Sequence, residues 1–292
     1  MNDAKVKQHA LGFYQAIEVP VEEDLRKYYA ERYFQSSQGN YRSAYSDFER
    51  NYINSKIIQK VALAKDLGYF EQPGRFLDVG CGEGFALNHF RQIGWNIKGL
   101  DYSSAGLAAM NPDCLDALEV GDVMTLLQTL IYSAERYEVV WLSNVLEHVP
   151  DPIGLLSRLH SLLAQNGLLI VTVPNDFSDL QGYLLGEGKV DRPYWIALPD
   201  HLSYFNKESL AKTAEHVGYK TLATLSDFPI DWFLMHPQTN YIQDSSRGRE
   251  AHYARIALET IISSKPATAV NRFYQAMADI GMGREITSFL AL

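Results

Sequence analysis

From Gly74 to about Leu225 the chain alternates apolar runs of strand length with amphipathic stretches of helix length. That alternation predicts an α/β core in which a mostly parallel sheet is covered by helices on both faces. Helical spacing is clearest from Pro152 to Leu163, where Ile153, Leu155, Leu156, Leu159, Leu162 and Leu163 form one apolar stripe and Gly167 follows the end. Phe85 to Ile93 reads as another helix, and Asn206 as the N-cap of a further one. Residues 1–72 also carry helical spacing, with Leu11, Tyr14, Ile17, Leu25, Tyr29 and Tyr33 as inward positions, and predict a helical N-terminal cap. Between Asp176 and Phe205 no regular period appears. Gly182, Gly186, Gly188, Pro193 and Pro199 punctuate that segment, which predicts a long functional loop. Beyond Leu225, Pro229 and Pro237 bracket an irregular aromatic stretch, and Gly248 to Ser263 reads as a helix.

Bulk properties narrow the classes. At 292 residues the chain exceeds one typical domain and is short for two, which predicts one core with helical additions. A formal net charge of -9 argues against nucleic-acid or anionic-membrane partners, because phosphate contacts need clustered Lys and Arg. The only two cysteines, Cys81 and Cys114, lack metal-ligand spacing and indicate neither a disulfide framework nor a zinc site. With no signal-peptide segment in Met1 to His9 and no run near the ~18 apolar residues of a span, the expectation is a soluble cytoplasmic protein.

The most specific chemistry lies in Arg75-Phe-Leu-Asp-Val-Gly-Cys-Gly-Glu-Gly84, followed by Asn96-Ile-Lys-Gly-Leu-Asp101. An apolar strand running into glycines, a helix whose N-terminal amides face the turn, and a second strand ending in an acid make a nucleoside pocket. The spacing is G-x-G-x-G with Asp78 just before it, which differs from the dinucleotide G-x-G-x-x-G pattern. A carboxylate at that place suits an ammonium and a sulfonium better than a pyrophosphate. An NAD(P)-dependent oxidoreductase is the competing class, disfavoured by that spacing and by the lack of a Tyr-x-x-x-Lys pair after the fifth strand.

This stretch resembles the first motif of class I S-adenosylmethionine-dependent methyltransferases of the small-molecule type. Leu118-Glu-Val-Gly-Asp122-Val123, Tyr137 to His148 and Gly167 to Pro174 resemble later motifs in the same order, so the resemblance covers roughly residues 73–228. It implies a Rossmann-like sheet of seven strands whose sixth and seventh are antiparallel partners, here Lys220 to Ser226 and Arg284 to Leu292. It also implies S-adenosylmethionine as cofactor, held by Asp78, Gly80, Cys81, Gly82, Gly84, Asp101, Tyr102, Asp122, Val123 and Asn144. For Asp122 an N-cap role stands beside the adenine role, and the two can coexist.

On this basis the chain divides into a cap at 1–72, a cofactor domain at 73–228 with a lid at 176–205, a substrate-shaping insertion at 229–283 and a last core strand at 284–292. His201, in a segment resembling the H-x-x-x-F stretch of small-molecule members, is the expected general base, with His148 as second catalytic candidate. Tyr33, Trp195 and Tyr204 are expected as aromatic walls around the sulfonium, and Arg247 and Arg249, with Arg255 and Arg272 nearby, as anchors for an anionic acceptor. The expected reaction is O-methylation of a small polar acceptor, a sugar or glycan precursor first and a quinone or phenol second, with no metal required.

Overall fold

The computed structural model describes residues 5–19 and 45–292. Tyr33, like Leu25 and Tyr29, lies outside the described residues.

The core is a seven-stranded sheet built from β3 (Arg75–Val79), β4 (Asn96–Asp101), β5 (Leu118–Val120), β6 (Tyr137–Ser143), β7 (Leu163–Pro174), β9 (Lys220–Ser226) and β10 (Glu285–Ala291). Its order is β5-β4-β3-β6-β7-β10-β9. The first five strands run parallel, and β10 pairs antiparallel with both β7 and β9. Period-2 alternation explains why the central strands are apolar throughout, since each face has its own helical cover. Leu77, Val79, Val140, Leu142, Leu169 and Val171 meet the helices α4 (Val123–Tyr132), α5 (Pro152–Leu162) and α7 (Lys207–Val217). Phe76, Val139, Trp141, Leu168 and Ile170 meet α1 (Asp47–Asp66), α2 (Phe85–Gln92) and α9 (Ala267–Asp279). Phe76 stacks on Phe90 with centroids 3.8 Å apart, fixing α2 on its strand. A short helix, α3 (Ala105–Met110), follows β4.

Local chemistry sets the helix boundaries. Ser46 and Glu49 form a reciprocal capping box at the start of α1, and Asn206 with Ser209 does the same for α7. The helix at Gly248–Ser263 (α8) runs as the spacing predicts.

Two expectations are corrected. The segment containing Leu11, Tyr14 and Ile17 is not helical: β1 (Val6–Gln8) and β2 (Tyr14–Ala16) form a hairpin, and β8 (Ser203–Tyr204) pairs with β2. Gly12 at φ 95° makes the reversal, and Ile17 is exposed. The 176–205 segment is also not structureless, because α6 (Asp179–Gly186) begins at a capping box made by Ser178 and Gln181. That S-x-x-Q pattern was present in the sequence, masked by the surrounding glycines and prolines. Among the described residues no helix is long and apolar enough to cross a membrane.

The seam between β7 and β10 holds the upper edge of the sheet. Asn175 donates its backbone N–H to Arg284 O (2.8 Å) and its amide to Gly281 O and Gly283 O (3.1 Å each). Arg284 Nη1 donates to the fully buried Asp176 at 2.8 Å. Removing the guanidinium would strand that carboxylate, a loss of about 3 kcal/mol when one partner of a largely buried pair is deleted. Arg284→Met is therefore expected to lower the unfolding free energy measured by urea denaturation by that amount, and Asp176→Asn combined with Arg284→Met to recover most of it.

Candidate active site

At the carboxyl end of β3 the chain turns through Gly80, Gly82 and Gly84 at φ 70°, 52° and 74°, and Gly84 caps α2. A Cβ on Gly80 would lie 2.4 Å from a Val145 methyl, so this turn excludes other residues on both conformation and space. Asp101, at the end of β4, locks the turn from below: Oδ2 accepts the Gly82 N–H (2.8 Å) and Oδ1 the Ser103 N–H (3.0 Å).

A cleft of about 340 Å³ opens above the turn. Asp78 and residues 80–86 form one end, and Ser143, Asn144, Ser226, Asp227, Glu285 and Thr287 come from the strand ends beyond. Helix α1 closes the front with Tyr52, Lys56 and Lys60, spaced four residues apart on one face, and α8 contributes Arg255. Near the cleft's edge, Tyr45 donates its hydroxyl to Glu83 (2.8 Å).

The cleft's electrostatics follow from burial. Burial, then the neighbouring Asp101, pushes the Asp78 carboxyl up to about 8. Lys60 Nζ donates to Thr172 Oγ1 at 2.9 Å and sits 5.3 Å from the Trp141 ring centroid. Burial brings this ammonium down to about 8, against the pull of Glu285. Asp227 is held by two backbone N–H groups, from Arg284 and Glu285, each 2.7 Å from Oδ1. Burial and the adjacent Glu285 push it up to about 7. The Cys81 thiol is driven upward by burial and then by Asp78 and Asp101, so it has no nucleophilic character.

Lys60, Asp227, Tyr52 and Glu285 are cleft residues that sequence reasoning missed. The one available signal was the helical spacing of Tyr52, Lys56 and Lys60; Asp227 and Glu285 become neighbours only when β9 and β10 pair.

Of the expected cofactor residues, Asp78, Gly80, Cys81, Gly82, Gly84 and Asn144 line the cleft. Asp101, Tyr102, Asp122 and Val123 sit beside it at the ends of β4 and β5. Asp122 caps α4 through Thr125 N–H (2.8 Å) and accepts the Tyr102 hydroxyl on Oδ2 (2.5 Å), so the capping alternative is realised.

The remaining expected residues are placed differently. His201 does not line the cleft: it packs edge-on against His148 at 4.8 Å, and burial, with His148, brings it down to about 3. An imidazole that weakly basic is poorly suited to accept a proton near neutrality. His148 Nδ1 lies 2.8 Å from Asp200 O, which makes Nδ1 the protonated nitrogen. Trp195 and Tyr204 are fully buried, the Tyr204 hydroxyl donating to His201 O (2.7 Å), and serve packing within the 176–205 segment. Arg247 is bound to Asp244 and to Gln238 O, and Arg249 lies over Tyr253; neither reaches the cleft, whereas Arg255 does.

Glu147, His148 and His201 offer ligand atoms within 4.8 Å of one another. Glu147 Oε2, Asp200 Oδ1 and His201 Nδ1 have no hydrogen-bond partner among the described residues. A carboxylate with two imidazoles in that space could hold a divalent cation, a grouping that their sequence separation concealed. If a cation sits there, EDTA should lower the Tm, Mg²⁺ or Zn²⁺ should restore it, and Glu147→Gln should abolish both responses.

The sequence profile of a family described as "Methyltransferase domain" matches residues 48–224. Two curated relatives are ubiquinone biosynthesis O-methyltransferases. The Vibrio cholerae protein is 28% identical over 152 residues, covering 49% of this chain and 60% of the relative. The Vibrio vulnificus protein is 32% identical over 158 residues, covering 51% and 64%. The chain thus spans less than two thirds of the relatives' length. Among solved structures, the plantazolicin methyltransferase BamL, in complex with a desmethylPZN analog and SAH, aligns with a TM-score of 0.51 at 14% identity, covering 83% of this chain and 85% of that one. That likeness shows the fold. The turn, the acid before it, the strand order and the family match agree: the chain belongs to the methyltransferase domain family.

Proposed function

We propose that this enzyme transfers the methyl group of S-adenosylmethionine to a hydroxyl oxygen of a small phenolic or quinol acceptor. The observation that carries the reading is one continuous cleft in which the glycine turn leads directly to the ionisable groups Lys60, Asp227 and Glu285. Tyr52, Phe85 and Trp141 line the same space and would stack on an aromatic ring. The names of the relatives support a quinone or phenol acceptor over the sugar or glycan precursor that the sequence suggested first. The same proposal takes the cytoplasm as the compartment and leaves nucleic acid out.

Within this proposal Asp78 meets the cofactor's ammonium, and Lys60 fits its carboxylate from across the cleft. Asp101 serves the ribose, and Asp122 with Val123 the adenine. When bound, the cofactor supplies an electrophilic methyl carbon, so the protein's work is to hold the acceptor oxygen in line with it and remove a proton. Residues 229–283 shape the acceptor side through Arg255.

Calorimetric titration with S-adenosylmethionine and with NADH tests the cofactor, and label transfer to catechols, hydroquinones and sugars tests the acceptor. Binding of NADH instead, or label on sugars alone, would overturn the proposal. Asp78 gives a pH signature. With its carboxyl raised to about 8 in the empty fold, its stability contribution is complete below the ordinary value and lost as pH rises through 8. Asp78→Asn should therefore flatten the fall in Tm of the empty protein between about pH 4 and 8. The cofactor's ammonium selects the ionised carboxylate, so wild-type affinity should strengthen up to about tenfold per pH unit until pH 8. The variant should bind about 10- to 100-fold more weakly at pH 8 and without that slope. Lys60→Met should weaken S-adenosylhomocysteine while sparing 5′-methylthioadenosine, which lacks the carboxylate.

A further inference from the structure

The cleft's far end contains a proton acceptor that His201, outside the cleft, does not supply. We propose that Asp227 is the general base of the reaction, receiving the acceptor's hydroxyl proton on the carboxylate oxygen not engaged by the backbone. The inference rests on the methyl-transfer reading above and deepens it.

Geometry singles out this residue. Asp227 follows the last residue of β9 and lines the cleft that begins at the glycine turn. The N–H groups of Arg284 and Glu285 both bind Oδ1, which orients the carboxylate without charge compensation in direct contact. The second oxygen is the one an acceptor in the cleft would meet. Gln59 is 6% exposed, lines the same cleft, and its amide Nε2 has no partner among the described residues. A buried amide donor without an acceptor is an unmet demand for a ligand oxygen. The donor and the carboxylate together recognise a hydroxyl-bearing acceptor.

The surroundings tune the group toward neutrality. Glu285 on β10 and Glu259 on α8 add to burial in raising it, while the Glu285 N–H and Lys56 on α1 oppose them. Arg255 of α8 and Lys60 of α1 also line this space. A base titrating near neutral pH balances ionisation against proton affinity, which is where general-base catalysis works best. His201, by contrast, lies outside the cleft and is depressed far below that range.

In the step, the acceptor O–H proton passes to Asp227 as the oxygen bonds to the methyl carbon, and the electron pair of the breaking S–C bond stays on sulfur. The products are a methyl ether, a neutral thioether and a protonated Asp227, which returns its proton to solvent.

The test compares Asp227→Asn and Asp227→Glu with wild type on catechol and on 4-nitrocatechol, whose hydroxyl ionises near neutrality unaided. Asparagine retains the oxygen that accepts the two backbone N–H groups, and S-adenosylhomocysteine affinity reports that the fold and cofactor site persist. The expected result is a loss of about 10²- to 10⁴-fold in kcat on catechol for Asp227→Asn, with a much smaller loss on 4-nitrocatechol. The wild-type rate should fall on the acid side near pH 7, and Asp227→Glu should recover part of the catechol rate. Equal losses on both acceptors, or an unchanged acid limb in Asp227→Asn, would overturn the assignment. If wild type methylates neither catechol, the phenolic reading fails separately and infrared titration decides the base. A protonated-carboxyl band titrating near pH 7 in the S-adenosylhomocysteine complex, absent from Asp227→Asn, supports the proposal; no such band overturns it.

Discussion

The cleft depends on the insertion of β10 between β7 and β9. That strand runs against its neighbours, so its first residues arrive at the same edge as the carboxyl ends of the parallel strands. Glu285 and Asp227 meet there, and Arg284 turns back to the buried Asp176. Without this strand the cofactor turn would still form, because β3, β4 and α2 are consecutive in sequence. The polar far end of the cleft would not.

Burial then determines the chemistry of each group. Asp78, Lys60 and Asp227 all move toward neutral pH because the charged form of each loses its hydration. In the proposed reading, the ammonium and carboxylate of the cofactor's amino-acid end would offset the hydration that Asp78 and Lys60 have lost. Glu147, His148 and His201 form a separate polar cluster outside the cleft.

The misplacements at the sequence level share one cause. His201, Trp195, Tyr204, Arg247 and Arg249 are residue types that carry chemistry, and all but Arg249 lie in a segment without clear period. In the fold Trp195 and Tyr204 are consumed by packing, Arg247 by a local turn, and His201 by its contact with His148. The hairpin of β1 and β2 was equally hidden, since its strands have three residues each and owe their pairing to β8, far along the chain. Short strands are stabilised by their partners more than by their own propensity.

What the sequence by itself determined is the local part: the alternating α/β order, the caps at Asn206 and Asp122, and the glycine turn with Asp78 and Asp101, which together point to the family. These signals are legible because each depends on residues near one another in the chain, through strand period, helix period and backbone conformation. What only the tertiary structure decided is which distant residues share the cleft. Lys60 of α1, Asp227 after β9, Arg255 of α8 and Glu285 of β10 are brought together by strand pairing and helix packing across the sheet. No local pattern encodes that meeting, because the contacts that create it span more than half the chain.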